Sequence, residues 1–223
     1  MDCGYLVVPE SRAKPDGREV RLALAIVRST AAQPAPDPVV YLEGGPGGSA
    51  LYDAWYWFES PIRERRDIVL IDQRGTGYSQ PSLNCPEIED EDVYTADEEL
   101  DAARACSRRL RREGVDLKQY NSAATAADLA DLRVALGLEQ VNLLGVSYGT
   151  RAALTAMRDS PQGIRSVVLD SAYPPEVDAY TEEAANAAAA IEVLLNGCAA
   201  DRRCAKAYPK LESTFYQIGR AHV

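Results

Sequence analysis

The apolar run Val141-Asn142-Leu143-Leu144 passes without a spacer into Gly145-Val146-Ser147-Tyr148-Gly149, and a helix-forming segment follows at once. A short apolar run of this kind reads as a buried strand. The pentapeptide must therefore turn the chain sharply from strand to helix. Such a turn crowds the backbone, and residues without Cβ relieve the crowding while the serine hydroxyl stays exposed. The pattern G-x-S-x-G in this setting predicts that Ser147 stands as a nucleophile on an elbow. The plainer alternative is a serine in an ordinary strand-to-helix turn.

The rest of the chain supplies a sheet for that elbow. Tyr5 to Val8 and Glu19 to Val27 alternate or run apolar around the Pro15-Asp16-Gly17 turn, which predicts an opening antiparallel hairpin. The proline-rich loop Thr30 to Pro38 delivers the chain into the short buried strand Val39 to Leu42. Asp67 to Ile71, Val141 to Leu144 and Ile164 to Leu169 are further apolar runs separated by helical stretches, and that alternation gives a parallel sheet. In the helix Ala124 to Leu136, Leu129, Leu132 and Leu136 share a face, Gly137 ends the helix, and Asp128 and Asp131 are expected in solvent. Glu87 to Asp101 reads as an exposed acidic loop. After Tyr173-Pro174-Pro175 the chain turns alanine-rich, with helices expected from about Thr181 to Leu195 and from Cys204 to Tyr216, the start of a helical insertion.

Two glycine-bearing segments leave strands at the edge where open α/β sheets build their sites. Glu43-Gly44-Gly45-Pro46-Gly47-Gly48 follows the strand Val39 to Leu42, and its glycines would let backbone N–H groups approach a substrate carbonyl oxygen. One donor would come from the Gly44-Gly45 pair, with Gly45 the assigned residue, and the other from Tyr148. A flexible turn is the alternative; a phosphate loop is disfavoured because no G-K-[ST] follows. Asp72-Gln73-Arg74-Gly75-Thr76-Gly77-Tyr78-Ser79 either braces the site or contacts substrate, and it lacks the G-x-G-x-x-G of a dinucleotide loop.

In this order the glycine-proline loop, the D-Q-R-G-x-G-x-S segment and G-x-S-Y-G resemble proline iminopeptidases and related secreted tripeptidyl aminopeptidases, from Cys3-Gly4-Tyr5-Leu6 onward. The resemblance implies an α/β-hydrolase fold, a mostly parallel sheet flanked by helices. On this reading the core is incomplete and spans 1–175, and 176–217 begins a helical cap. It further implies an enzyme without metal or cofactor that acylates Ser147 and releases N-terminal residues or short peptides, with cap acids holding the free amine. Glu182 and Glu183 are the candidates for that role; a solvated helix face near an N-terminus, where acids suit the helix dipole, is the alternative. The family's loop begins with histidine, and this chain has Glu43 there. An esterase on the same fold, or a binding protein that keeps the fold without the chemistry, are the competing functional readings.

A serine nucleophile needs a base, and in this fold the order is serine, acid, histidine. The one histidine is His222. Ile218 to Val223 reads as a translation of ATC GGA AGA GCA CAC GTC, the stem of a sequencing adapter. The native sequence is therefore expected to stop near Gln217, leaving 218–223 as an adapter-derived tail; a genuine tail is the alternative. Asp170, ending the strand Ile164 to Leu169, is the best placed acid, either to orient a base or merely to cap the loop before Ser171.

The formal net charge of −10 argues against phosphate backbones and anionic lipid surfaces, so neither nucleic acid nor membrane is an expected partner, and a peptide or small-molecule substrate is. No apolar run approaches the roughly 20 residues of a membrane span. Five cysteines, with Cys198 and Cys204 close together and Cys85 in a loop, fit no zinc spacing and favour disulfides and export over free thiols in the cytoplasm.

Overall fold

The computed structural model describes residues 1–88 and 95–220, with backbone only at 179, 180, 219 and 220. The suspected tail falls partly outside them: Ile218 to Arg220 continue the last helix, and His222 lies outside the described residues. Two compact units divide the chain, Met1–Pro175 and Glu176–Val223.

The first unit is built on six strands: β1 (Asp2–Pro9), β2 (Glu19–Val27), β3 (Val39–Leu42), β4 (Ile68–Ile71), β5 (Val141–Val146) and β6 (Ile164–Asp170). Their spatial order is β1-β2-β4-β3-β5-β6. β1 and β2 form the expected antiparallel hairpin, β2 runs antiparallel to β4, and β4, β3, β5 and β6 are mutually parallel. β3 and β4 are buried at every position, as strands covered on both faces must be.

Period-two alternation divides their side chains between two cores. Val40, Leu42, Val69, Ile71 and Leu143 face α2 (Ser122–Ala135) and α3 (Tyr148–Asp159). Tyr41, Ile68 and Leu70 face the other way, onto Ala54 and Trp57 of a short 3-10 turn.

Several expectations need correction. The acidic stretch read as a loop to Asp101 contains the start of α1 (Ala96–Arg112), while 89–94 lie outside the described residues. Thr95 caps this helix, accepting from the Glu98 N–H at 3.3 Å while the Glu98 carboxylate accepts from the Thr95 N–H at 2.9 Å. Asp97, Glu98 and Glu99 fill the first turn and Arg109, Arg111 and Arg112 the last, so the acids answer the helix dipole. Thr95-x-x-Glu98 was the signal for a helix start.

Asp128, expected in solvent, is 1% exposed. It lies on the inner face of α2 beside Leu129 and Leu132 and is met there by Arg74 at 2.7 Å and by Arg12 at 2.6 Å. Arg12 also reaches the more open Asp131.

In the second unit α4 (Ala179–Ala200) is capped by Asp178. The single helix expected over Cys204 to Tyr216 is two, α5 (Arg202–Ala207) and α6 (Leu211–Arg220). Pro209 explains the break, since it removes an N–H and pushes Tyr208 out of helical backbone. Disulfides join Cys85 to Cys106 and Cys198 to Cys204, and Cys3 is free and exposed. Among the described residues no helix is long and apolar enough to cross a membrane.

Candidate active site

Ser147 sits between β5 and α3 with φ 52° and ψ −119°, a backbone state that costs an L residue of order 1–3 kcal/mol unless its surroundings enforce it. The enforcement is visible. The Ser147 N–H donates to the Asp170 carbonyl at 2.9 Å, and its own carbonyl accepts from the Thr150 N–H at 2.9 Å and from Thr150 Oγ1 at 2.6 Å. The elbow glycines are steric requirements. A Cβ on Gly145 would come 2.5 Å from the Gly149 carbonyl oxygen, and one on Gly149 would overlap the Leu42 carbonyl oxygen at the end of β3. Ser147 is exposed, and its Oγ has no hydrogen-bond partner among the described residues.

The glycine loop lies directly against this serine: a Cβ on Gly44 would stand 3.6 Å from Ser147 Oγ. Gly45 and Gly47 both take φ 111°, a conformation open to glycine and costly to other residues. Glu43 organises the loop from beneath. Its Oε1 accepts from the Gly44 N–H at 2.7 Å, its Oε2 from the Tyr41 hydroxyl at 2.9 Å, and its carbonyl from Gln73 Nε2 at 3.0 Å. Burial, with the Glu43 carboxylate beside it, pushes the Tyr41 phenol above its ordinary pKa. The Gly44 N–H is thus spent. The N–H groups of Gly45 and Tyr148 donate to no described residue.

The Asp72 to Ser79 segment braces this arrangement. Asp72 is fully buried, accepts from Ser49 Oγ at 2.9 Å and the Tyr78 N–H at 2.8 Å, and also holds the Leu51 N–H at 3.2 Å. Burial raises its pKa against those lowering hydrogen bonds. Arg74 clamps the segment to α2 through both oxygens of Asp128, at 2.7 Å each. Beside the glycine loop the same segment helps enclose a cavity of about 230 Å³, with Pro46, Thr76, Leu83, Tyr120, Thr125 and Tyr148 in its wall.

The other predicted residues lie elsewhere. Asp170 reaches Ser147 only through its backbone, and its exposed carboxylate accepts from Ser171 Oγ at 3.1 Å. Glu182 and Glu183 are exposed on α4, in the second unit. Among the described residues, the donor cluster Cys85, Glu87 and Cys106 is already committed, the cysteines to each other and Glu87 to Arg109 at 2.7 Å. Thr150 and the loop-bracing side chains of Glu43 and Gln73 had no signature in the sequence, because their partners, the Ser147 carbonyl, the Gly44 N–H and the Glu43 carbonyl, are chosen by the folded geometry of the motifs rather than by residue type.

The profile of the alpha/beta hydrolase fold family matches residues 37–204, which include the glycine loop, the braced turn and the elbow. The chain belongs to this family. This α/β hydrolase is 32% identical to the serine protease Hip1 of Mycobacterium tuberculosis, over 92% of its own length and 41% of the relative's. It is 32% identical to a tripeptidyl aminopeptidase of Streptomyces coelicolor over 80% of the chain and 36% of that protein. The α/β hydrolase thus spans about two fifths of these curated relatives, both of them named as peptidases. Among solved structures, a proline iminopeptidase of Mycobacterium smegmatis aligns with TM-score 0.48 and 19% identity over 74% of the chain and 42% of the neighbour.

Proposed function

We propose that the parent protein is a serine aminopeptidase that works through an acyl-enzyme on Ser147. The observation that carries this reading is the conjunction of an exposed Ser147 hydroxyl with two N–H groups, that of Gly45 in the glycine loop and that of Tyr148 at the start of α3, all three without a hydrogen-bond partner among the described residues. Ser147 Oγ attacks the scissile carbonyl carbon, its proton passes to a base, and the carbonyl oxygen becomes an oxyanion held by the two N–H groups. Collapse of this intermediate takes the proton back to the leaving amine, and water then releases the acyl group. Preorganised donors of this kind are worth about 3–4 kcal/mol each in the transition state.

No described residue offers an imidazole to Ser147. The matched stretch is about two fifths of the curated relatives' length, and on this reading the base and its orienting acid come from a part of the parent that the described residues do not include. Glu182 and Glu183 are proposed to hold the substrate's free amine. The relatives' peptidase names favour amide over ester substrates, while elbow and fold alone serve both. Export to an oxidising compartment accompanies this reading, supported by the two disulfides.

The test uses aminoacyl-anilides, the same compounds with a blocked amine, and short acyl esters. The parent is expected to cleave the free-amine anilides and to lose that activity with Ser147→Ala, and the 223-residue chain alone is expected to show little turnover. Preference for acyl esters with indifference to the amine would replace the peptidase by an esterase. Full activity of the Ser147→Ala parent would remove Ser147 from the mechanism.

A further inference from the structure

The cavity beside the glycine loop has a wall in which most polar side chains are already engaged within the protein. Its one charged lining residue, Arg74, is fully engaged: Nε and Nη2 hold Asp128, and Nη1 holds the carbonyls of Glu10 and Gln119. The Tyr120 hydroxyl is bonded to Glu10 Oε1 at 2.9 Å, and the Tyr148 hydroxyl to Ser122 Oγ at 2.9 Å. Asn121 uses its side chain to cap α2 and to hold the Lys118 carbonyl.

Two groups remain. Thr125 Oγ1 and Gln73 Oε1 have no hydrogen-bond partner among the described residues, although Thr125 is only 5% and Gln73 only 7% exposed. Neither oxygen is sealed, since Arg133 Nε is the one buried side-chain atom without a partner among the described residues, so a group bound in the cavity can reach both. Leu83, Tyr120 and Pro46 provide the apolar part of the wall.

We propose that this cavity is a specificity subsite for one neutral side chain of the substrate, with an apolar body and a hydroxyl or amide donor at its tip. The proposal rests on Ser147 as the reacting residue only in naming the occupant, the residue whose carbonyl Ser147 attacks. Tyr148 belongs both to the cavity wall and to the pair of open N–H groups, so a carbonyl bound there has its own side chain within reach of the cavity. At about 230 Å³ the space falls below the 300 Å³ or more of pockets that enclose drug-sized ligands. It therefore suits one side chain. A carboxylate or ammonium tip would find no free counter-charge, whereas a donor tip satisfies Thr125 Oγ1 or Gln73 Oε1.

N-acetyl-tyrosinamide, N-acetyl-phenylalaninamide and the amide of N-acetyl-glutamate are titrated into the ¹⁵N-labelled chain. The tyrosine probe is expected to shift the amide signals of Leu83, Thr125 and Tyr148 and to bind several-fold more tightly than the phenylalanine probe, with the acidic probe inert. Thr125→Val should bring the tyrosine probe down to the phenylalanine level without changing the latter, and Leu83→Trp should remove both. Thr125→Ser, which keeps the hydroxyl, should retain the wild-type preference and serves if the valine variant does not fold.

Shifts confined to other regions, equal binding of the acidic probe, or an equal effect of Thr125→Val on both aromatic probes would overturn the subsite. These affinities need no turnover. Probe binding in a parent whose hydrolysis survives Ser147→Ala sinks the peptidase reading alone, and Ser147-dependent hydrolysis without probe binding sinks the subsite alone.

Discussion

Thr150 fixes Ser147 from inside the helix that Ser147 begins: Thr150 Oγ1 donates to the Ser147 carbonyl at 2.6 Å and accepts from the Tyr173 N–H at 2.7 Å. Thr150 is wholly buried, so water cannot replace either bond. Thr150→Val keeps the shape and leaves the Tyr173 N–H unpaired, which should cost about 1–3 kcal/mol. Urea unfolding measures it, and a midpoint unchanged from wild type would show that the hydroxyl is dispensable.

Gly149 offers a test in which two effects have opposite sign. Gly149→Ala inside a helix ordinarily gains about 1 kcal/mol from reduced backbone freedom, yet here the added Cβ would overlap the Leu42 carbonyl oxygen. Overlap with backbone should win, and the variant should be destabilised by more than about 2 kcal/mol, within the range of overpacked cores. Gly44→Ala, whose Cβ would stand 3.1 Å from that of Ser147, should be milder. Thermal denaturation of the two variants side by side decides the order, and a more stable Gly149→Ala would mean that α3 does not press on β3.

The Arg74–Asp128 pair is buried at both ends, with side chains 1% and 2% exposed. Arg74→Met leaves Asp128 with Arg12 alone and should cost about 3–5 kcal/mol, as removal of one partner from a buried pair does. Arg74→Met combined with Asp128→Leu should recover most of that loss. Equilibrium unfolding of the single and double variants measures the coupling; a single variant as stable as wild type would contradict it.

Asp72 gives a pH dependence with a defined sign. Burial raises its pKa in the folded state, so the folded chain holds the proton more tightly than the unfolded chain does. The Asp72 contribution therefore falls as pH rises from the ordinary aspartate pKa through the raised folded value, and it is most favourable below that window. Asp72→Asn should flatten this part of the stability profile. Urea midpoints of wild type and variant across the acidic range test it, and identical slopes would show that Asp72 keeps an ordinary pKa.

The sequence alone determined what depends on neighbours along the chain. A strand, two glycines and a helix within a few residues define the elbow at Ser147, and apolar runs separated by helical segments define a mostly parallel sheet. The Thr95 and Glu98 capping pair is equally local, but the acids around it give the segment the composition of an exposed loop. Tertiary structure decided whatever needed a partner from far away. Asp128 looks like a surface acid on its helix until Arg74, 54 positions distant, meets it in the core. The Gly44 and Gly45 amides are equivalent in sequence, and only the folded position of the Glu43 carboxylate consumes one and leaves the other open. Backbone periodicity and steric turns are written locally, whereas burial and hydrogen-bond satisfaction are fixed only when separate segments converge.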